Sequence, residues 1–172
     1  SKWLENIYVD IGMPKDKTSV IMSGADEDIF NSDGLAEFSH EKIKIVTHHW
    51  SAHTNKGFDI YKKLDKLLSK AEYQYLEFCY IGNVPSDVSF INTEVKKPLS
   101  SNDLANEIKK NHIYLTASIN EPSGNHHIEA AQCGLPILYL DSGGIPEYCD
   151  GYGISFKNNF EESLNEMIDN YY

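Results

Sequence analysis

Two carboxylates eight positions apart bracket the segment Glu121-Pro-Ser-Gly-Asn-His-His-Ile-Glu129, which follows an apolar run of strand length and opens a stretch of helical period. If the helix starts near Gly124 or Asn125, the backbone N–H groups of Gly124, Asn125 and His126 point out of its N-terminus, an anion site suited to a pyrophosphate. Glu129 then lies in the first helical turn and Glu121 on the loop above the strand, so both face one crevice. Carboxylates beside such a site suit the hydroxyls of a sugar or ribose, which can donate to them. The plainer alternative leaves Glu121 in solvent and lets Glu129 merely complement the helix dipole. Spacing alone leaves both open.

Lys56-Gly57 stands at the start of another helical stretch, where a flexible ammonium could neutralise phosphate charge and glycine permits close backbone approach. A solvated surface lysine is the alternative. His48, His49, His53, His126 and His127 invite a metal reading. Strand neighbours point to opposite faces, however, and neither pair has the His-Glu-x-x-His arrangement, so no metal site is expected and an imidazole lining the anion pocket is. Asp141-Ser-Gly-Gly-Ile-Pro-Glu147 ends an apolar run in a tight turn at Gly143 and Gly144, leaving room for a ligand or serving as a turn alone. No Gly-x-Gly-x-x-Gly, Walker loop or nucleophile elbow occurs, which weighs against dehydrogenase, NTPase and α/β-hydrolase chemistry.

The elements that must position these groups alternate between strand-length apolar runs and helical periods, the pattern of an α/β domain with a parallel sheet. Ile43 to Trp50, Tyr75 to Ile81, His112 to Ser118 and Pro136 to Leu140 read as strands buried on both faces, and Val88 to Ile91 and Tyr152 to Phe156 as shorter edge strands. Phe58, Tyr61, Leu64, Leu67 and Leu68 share one helical face, as do Phe160, Leu164, Met167, Ile168 and Tyr171, while Ser100 with Asp103 predicts a capped helix carrying Leu104 and Ile108. Ser1 to Asp10 reads as a short helix or strand and Ser19 to Ser23 as a brief strand. The expectation is a lead-in over 1–42 and a βαβαβ half-unit of doubly wound type, a Rossmann-like three-layer αβα arrangement, over 43–172. In open parallel sheets ligands bind beyond the carboxyl ends of the strands, and four polar, glycine-containing loops, His48 to Gly57, Gly82 to Ser86, Asn120 to His127 and Asp141 to Glu147, all follow strands.

Composition bounds the partners. The 172 residues are 41% hydrophobic and carry a net charge of −11, enough for one globular domain and unlike a nucleic-acid binder. All 15 basic residues are lysine, so an anionic ligand must be held by Lys, His, hydroxyl and backbone N–H groups rather than a guanidinium fork. Cys79, Cys133 and Cys149 lack any Cys-x-x-Cys spacing and are expected as reduced, mostly buried thiols. With no run approaching the ~18 apolar residues of a membrane span and no signal-peptide pattern, a cytoplasmic location is expected. The first residue is Ser rather than Met, which suggests an excised fragment.

In order along the chain, these segments resemble the C-terminal, donor-binding domain of retaining GT-B fold glycosyltransferases of the group-1 family. Ser19 to Phe30 resembles the family's crossing between domains, Lys56-Gly57-Phe58-Asp59 its "KG.d" and Tyr80-Ile81-Gly82 its "..iG". Glu121 to Glu129 resembles its E-x7-E signature, Glu129 to Pro136 its "EA.acG.P" and Gly143 to Glu147 its "gG.pE".

The resemblance implies a nucleotide-sugar donor, a UDP- or GDP-sugar, and transfer with retention to a sugar, glycan or lipid-linked acceptor held by an N-terminal domain outside this chain. Without that domain the chain is expected to bind donor but not transfer sugar. Glu129 would bind the ribose hydroxyls and Glu121 the donor-sugar hydroxyls. The amides of Gly124, Asn125 and His126 would bind the distal phosphate and sugar, Lys56 the pyrophosphate, and backbone near Gly82 and Val95-Lys96 the base. Gly143 and Gly144 would complete the pocket, and no metal or other cofactor would be needed. Where the family places an arginine shortly before the "KG" lysine, this chain has Ser51 and Ala52, and His48, His49 or Ser51 is the expected substitute. A sugar-nucleotide epimerase of related architecture and a non-catalytic nucleotide- or protein-binding module remain alternatives.

Overall fold

The computed structural model describes residues 1–38 and 41–171. Six strands, β1 (Ile43–His49), β2 (Leu76–Gly82), β3 (Glu94–Lys96), β4 (Ile113–Thr116), β5 (Ile137–Leu140) and β6 (Gly153–Phe156), form one sheet in the order β3-β2-β1-β4-β5-β6. Every pairing is parallel. This is the full doubly wound order rather than a half-unit, and the chain changes direction across the sheet between β1 and β4.

The helices follow from the apolar periods. They are α1 (Lys2–Asp10), α2 (Phe58–Leu67), α3 (Ser101–Ile108), α4 (Asn125–Gln132), the short α5 (Pro146–Cys149) and α6 (Phe160–Asp169). Alternation along the strands feeds two cores. Ile43, Ile45, Phe78, Tyr80, Ile113, Leu115 and Leu138 pack with Tyr61 and Leu64 of α2 and Leu164 of α6. Val46, Cys79, Ile81, Tyr114, Ile137 and Tyr139 pack on the other face with Leu104 and Ile108 of α3 and Ala130 of α4. Burial on both faces is why β1 and β4 read as near-continuous apolar runs. Among the described residues no helix is long and apolar enough to cross a membrane.

Three expectations are corrected. Ser19 to Ser23 forms no strand, and Ile21, 86% exposed, packs on no sheet. Val88 to Ile91 is not an edge strand either; the loop after β2 passes over α2, where the buried Asp65 carboxylate accepts hydrogen bonds from the N–H groups of Ile91 and Asn92 and from Thr93 Oγ1. The edge strand is β3, a few residues further on. Ser100 stands at the N-cap of α3, but its side chain makes no capping hydrogen bond.

Candidate functional site

The carboxyl ends of β1 and β4 part at the change of direction, and a cleft of about 590 Å³ opens above them. From β1 come His48 and His49, followed by Trp50 and Ser51; Lys56 arrives on the turn before α2. Glu121 and Ser123 follow β4, and Gly124, Asn125, His126 and Glu129 belong to the start of α4. At the other end Ile29, Phe30, Pro98, Leu99 and Leu104 supply an apolar wall, with Ser100 and Ser101 beside it.

Lys56, Glu121 and Glu129 each have a hydrogen-bonding partner across the cleft. Lys56 Nζ donates to Glu121 Oε2 at 2.7 Å, and His48 Nε2 lies 2.8 Å from Glu129 Oε2. All four side chains are mostly buried. Gly124 is the N-cap of α4 and has no side chain to satisfy the first N–H groups of the helix, and Gly124, Asn125 and His126 line the cleft. Glu129 is the fifth helical residue and opens the second turn, one turn deeper than expected. From there its carboxylate reaches back to the end of β1.

The imidazoles divide the labour. His48 and His49 point to opposite faces of the sheet, as expected for strand neighbours. His49 Nε2 is 2.7 Å from Tyr61 Oη on the α2 side, and His48 Nδ1 is 3.1 Å from Tyr114 Oη on the α4 side. His126 Nε2 is 2.8 Å from Thr116 Oγ1. Burial holds His49 and His126 well below the usual imidazole range, reinforced by neighbouring histidines and Lys56. His49 is therefore neutral near pH 7. Burial likewise pushes His127 down to about 4, and both its ring nitrogens lack a hydrogen-bond partner. His53 lies outside the cleft and accepts from the Asn55 N–H at 3.3 Å. Among the described residues no group of three or more His, Cys, Asp or Glu side chains is arranged to hold a metal ion.

Of the residues singled out by sequence, Lys56, Ser51, Glu121, Gly124, Asn125, His126 and Glu129 meet in the cleft. Gly82, Val95, Gly143 and Gly144 do not line it. Gly82 ends β2 beside His49, and Val95, an exposed residue, pairs with Tyr80 on the edge strand. Lys96 is held by Glu107 at 2.5 Å. Gly143 and Gly144 instead buttress Glu121. The Gly144 N–H donates to Glu121 O at 2.8 Å, and the Asn120 N–H to Ser142 Oγ at 2.9 Å. Gly143, at φ +65°, packs so closely that a Cβ would lie 2.6 Å from Glu121 N and O. The turn leads into α5, where the Glu147 carboxylate accepts from the N–H groups of Lys2 and Trp3 and so caps α1.

Sequence reasoning missed Tyr61, Tyr114 and Thr116, which orient the histidines, and the apolar wall at Pro98, Leu99 and Leu104. The wall follows the carboxyl end of β3, so the strand-end rule finds it once the edge strand is placed at 94–96.

A family model described as glycosyl transferases group 1 matches residues 37–172. A probable sucrose-phosphate synthase of Thermosipho melanesiensis is 27% identical over 191 residues, covering 99% of this chain and 44% of that protein. The phosphatidylinositol N-acetylglucosaminyltransferase gpi3 subunit of Schizosaccharomyces pombe is 24% identical over 124 residues, covering 66% of this chain and 27% of that protein. Among solved structures, a glycosyltransferase from Rickettsia africae superposes with a TM-score of 0.74 at 18% identity, covering 99% of this chain and 51% of that one. The sucrose-phosphate synthase of Thermosynechococcus elongatus gives 0.71 at 18% identity, covering 99% and 47%. The chain thus spans less than half the length of the curated relatives it matches.

Proposed function

The chain belongs to the glycosyl transferases group 1 family and has the Rossmann-like fold of GT-B glycosyltransferases, and from that premise we propose that it is the donor-binding half of a hexosyltransferase. The full protein would move a sugar from a nucleoside-diphosphate sugar to a sugar, glycan or lipid-linked acceptor with retention of anomeric configuration. The observation carrying this reading is the convergence of Lys56, Glu121, Glu129 and the α4 N-terminus in one cleft at the change of direction in the sheet.

Each group has a role suited to its chemistry. The N–H groups at Gly124, Asn125 and His126 and the Lys56 ammonium would hold the diphosphate, the leaving group on which charge accumulates as the glycosidic bond breaks. Among the described residues Lys56 is the one lysine lining the cleft, and its hydrogen bond to Glu121 holds it beside the start of α4. Glu121 would accept from donor-sugar hydroxyls and Glu129 from ribose hydroxyls, since an ionised carboxylate only accepts. The apolar wall at Pro98 and Leu99 gives the base a surface to pack against, with the hydroxyls of Ser100 and Ser101 at its edge. Ser51, where the family places its arginine, can offer one hydroxyl but no charge.

Calorimetric titration of the chain with UDP, GDP and ADP, with and without Mg²⁺ and repeated on Glu129→Ala, tests this reading. One nucleotide should bind without metal and lose affinity in the variant. Failure of all three to bind would overturn it.

A further inference from the structure

We propose that His48 is a positioning residue that presents Glu129 to its ligand, taking its own orientation from the buried Tyr114 hydroxyl of β4. This rests on the reading of Glu129 as a hydroxyl acceptor. It assigns the aiming of that carboxylate to the sheet rather than to the helix that carries it.

The hydrogen-bond directions follow from what each group can do. Glu129, as a carboxylate, only accepts, so the proton between it and His48 resides on Nε2. In a neutral ring Nδ1 is then an acceptor, and Tyr114 Oη, 3.1 Å away, supplies its proton there in preference to the His48 carbonyl oxygen at 3.4 Å. The same phenol oxygen accepts from the His48 backbone N–H at 3.2 Å, so the residue is gripped at both its main chain and its ring. Burial holds the Tyr114 phenol well above its ordinary value, and it remains a proton donor. Edge-on contacts fix the ring plane, with centroids 5.5 Å from Tyr114 and 6.2 Å from His126.

The chain of donors therefore runs from Tyr114 Oη to His48 Nδ1, and from His48 Nε2 to Glu129 Oε2. Glu129 Oε1 has no hydrogen-bond partner among the described residues. With Oε2 tethered, Oε1 is the oxygen that meets a ligand hydroxyl. A carboxylate held by one oxygen discriminates sharply between a hydroxyl and its deoxy counterpart, because its orientation is already set before binding. Freed from His48, the side chain regains rotamer freedom and loses that discrimination while remaining negative.

The test compares UDP and GDP with their 2′-deoxy and 3′-deoxy counterparts by calorimetry on the wild-type chain and on His48→Ala, His48→Gln and Tyr114→Phe. In the wild type, removing the hydroxyl read by Glu129 should weaken binding about tenfold or more. His48→Ala should shrink that ratio to about threefold or less, and His48→Gln, whose amide N–H can still reach Oε2, should restore most of it. Tyr114→Phe should reduce it in part. The preference for diphosphate over nucleoside should stay unchanged throughout, which a general loss of structure would not allow. A wild-type chain that discriminates hydroxyls, with His48→Ala or His48→Gln discriminating equally and no difference between them, overturns the positioning role alone. A wild-type chain that binds no nucleotide overturns the functional reading, and this role with it.

Discussion

Gly57 lies so close to the end of β4 that a Cβ on it would stand 2.0 Å from the carbonyl oxygen of Ala117. The contact lets α2 begin directly beneath the loop that carries Glu121, and Lys56, the preceding residue, reaches that carboxylate as a result. Gly57 also has φ +80°, which disfavours any L side chain. Gly57→Ala should therefore destabilise the fold by about 1–3 kcal/mol, through overpacking against main chain that cannot rotate away. A urea midpoint equal to that of the wild type would refute this.

Among the described residues Lys56 is the lysine that lines the cleft, and the sequence holds no arginine. Lys56→Met should weaken UDP or GDP binding about 10- to 100-fold, the equivalent of one charged hydrogen bond, and change binding of the bare nucleoside little. Calorimetry with the nucleotide and nucleoside pair separates the two. Equal losses for both would mean that the lysine supports the cleft rather than the phosphates.

Asp65 is buried on α2, and its carboxylate gathers two main-chain N–H groups and the Thr93 hydroxyl of the loop leading into β3. Asp65→Ala should cost about 2–3 kcal/mol by stripping those donors of their acceptor. Limited proteolysis should then cut first within residues 83–93. Wild-type resistance in that loop would show that β3 is held by its pairing with β2 instead.

Acid should destabilise the fold through its histidines before its carboxylates. His49, His126 and His127 have folded-state values below the ordinary 6.5, burial being the main cause in each. The unfolded chain therefore takes up protons below about pH 6.5 that the folded chain refuses, so stability is steady above that value and falls as pH drops toward 4. For His127 alone, lowered to about 4, the loss reaches roughly 3 kcal/mol. Urea midpoints at pH 7.5, 6 and 5 should decline in that order. His127→Leu should flatten part of the decline and cost little at pH 7.5, because neither ring nitrogen has a partner to lose. A midpoint that is flat or rises on acidification would contradict this assignment.

The parts of the molecule legible in its sequence are those where one local pattern meets one physical demand. β1 and β4 announce themselves because burial on both faces permits only apolar, β-branched or hydrogen-bonded side chains. Glu121 and Lys56 are found because each sits at a strand end or helix start, and Glu129 because it lies one turn into the helix that such a loop opens. Ile91, by contrast, belongs to an apolar stretch that looks like an edge strand, but its N–H is taken by Asp65, 26 residues earlier. The Tyr114 contact with His48 spans 66 residues, and no local spacing announces it. Gly143 and Gly144 are legible as a turn, yet whether a turn faces a ligand or braces its neighbour depends on the backbone of Glu121.

That bracing turn and the helix it opens serve two masters. The glycines hold the loop of Glu121, and Glu147 of α5 caps a helix at the other end of the chain. Because Glu147 grips main-chain N–H groups, the side chains of Lys2 and Trp3 are free to vary while the carboxylate is not. A shift of residues 141–147 would move the start of α1 and the loop of Glu121 together.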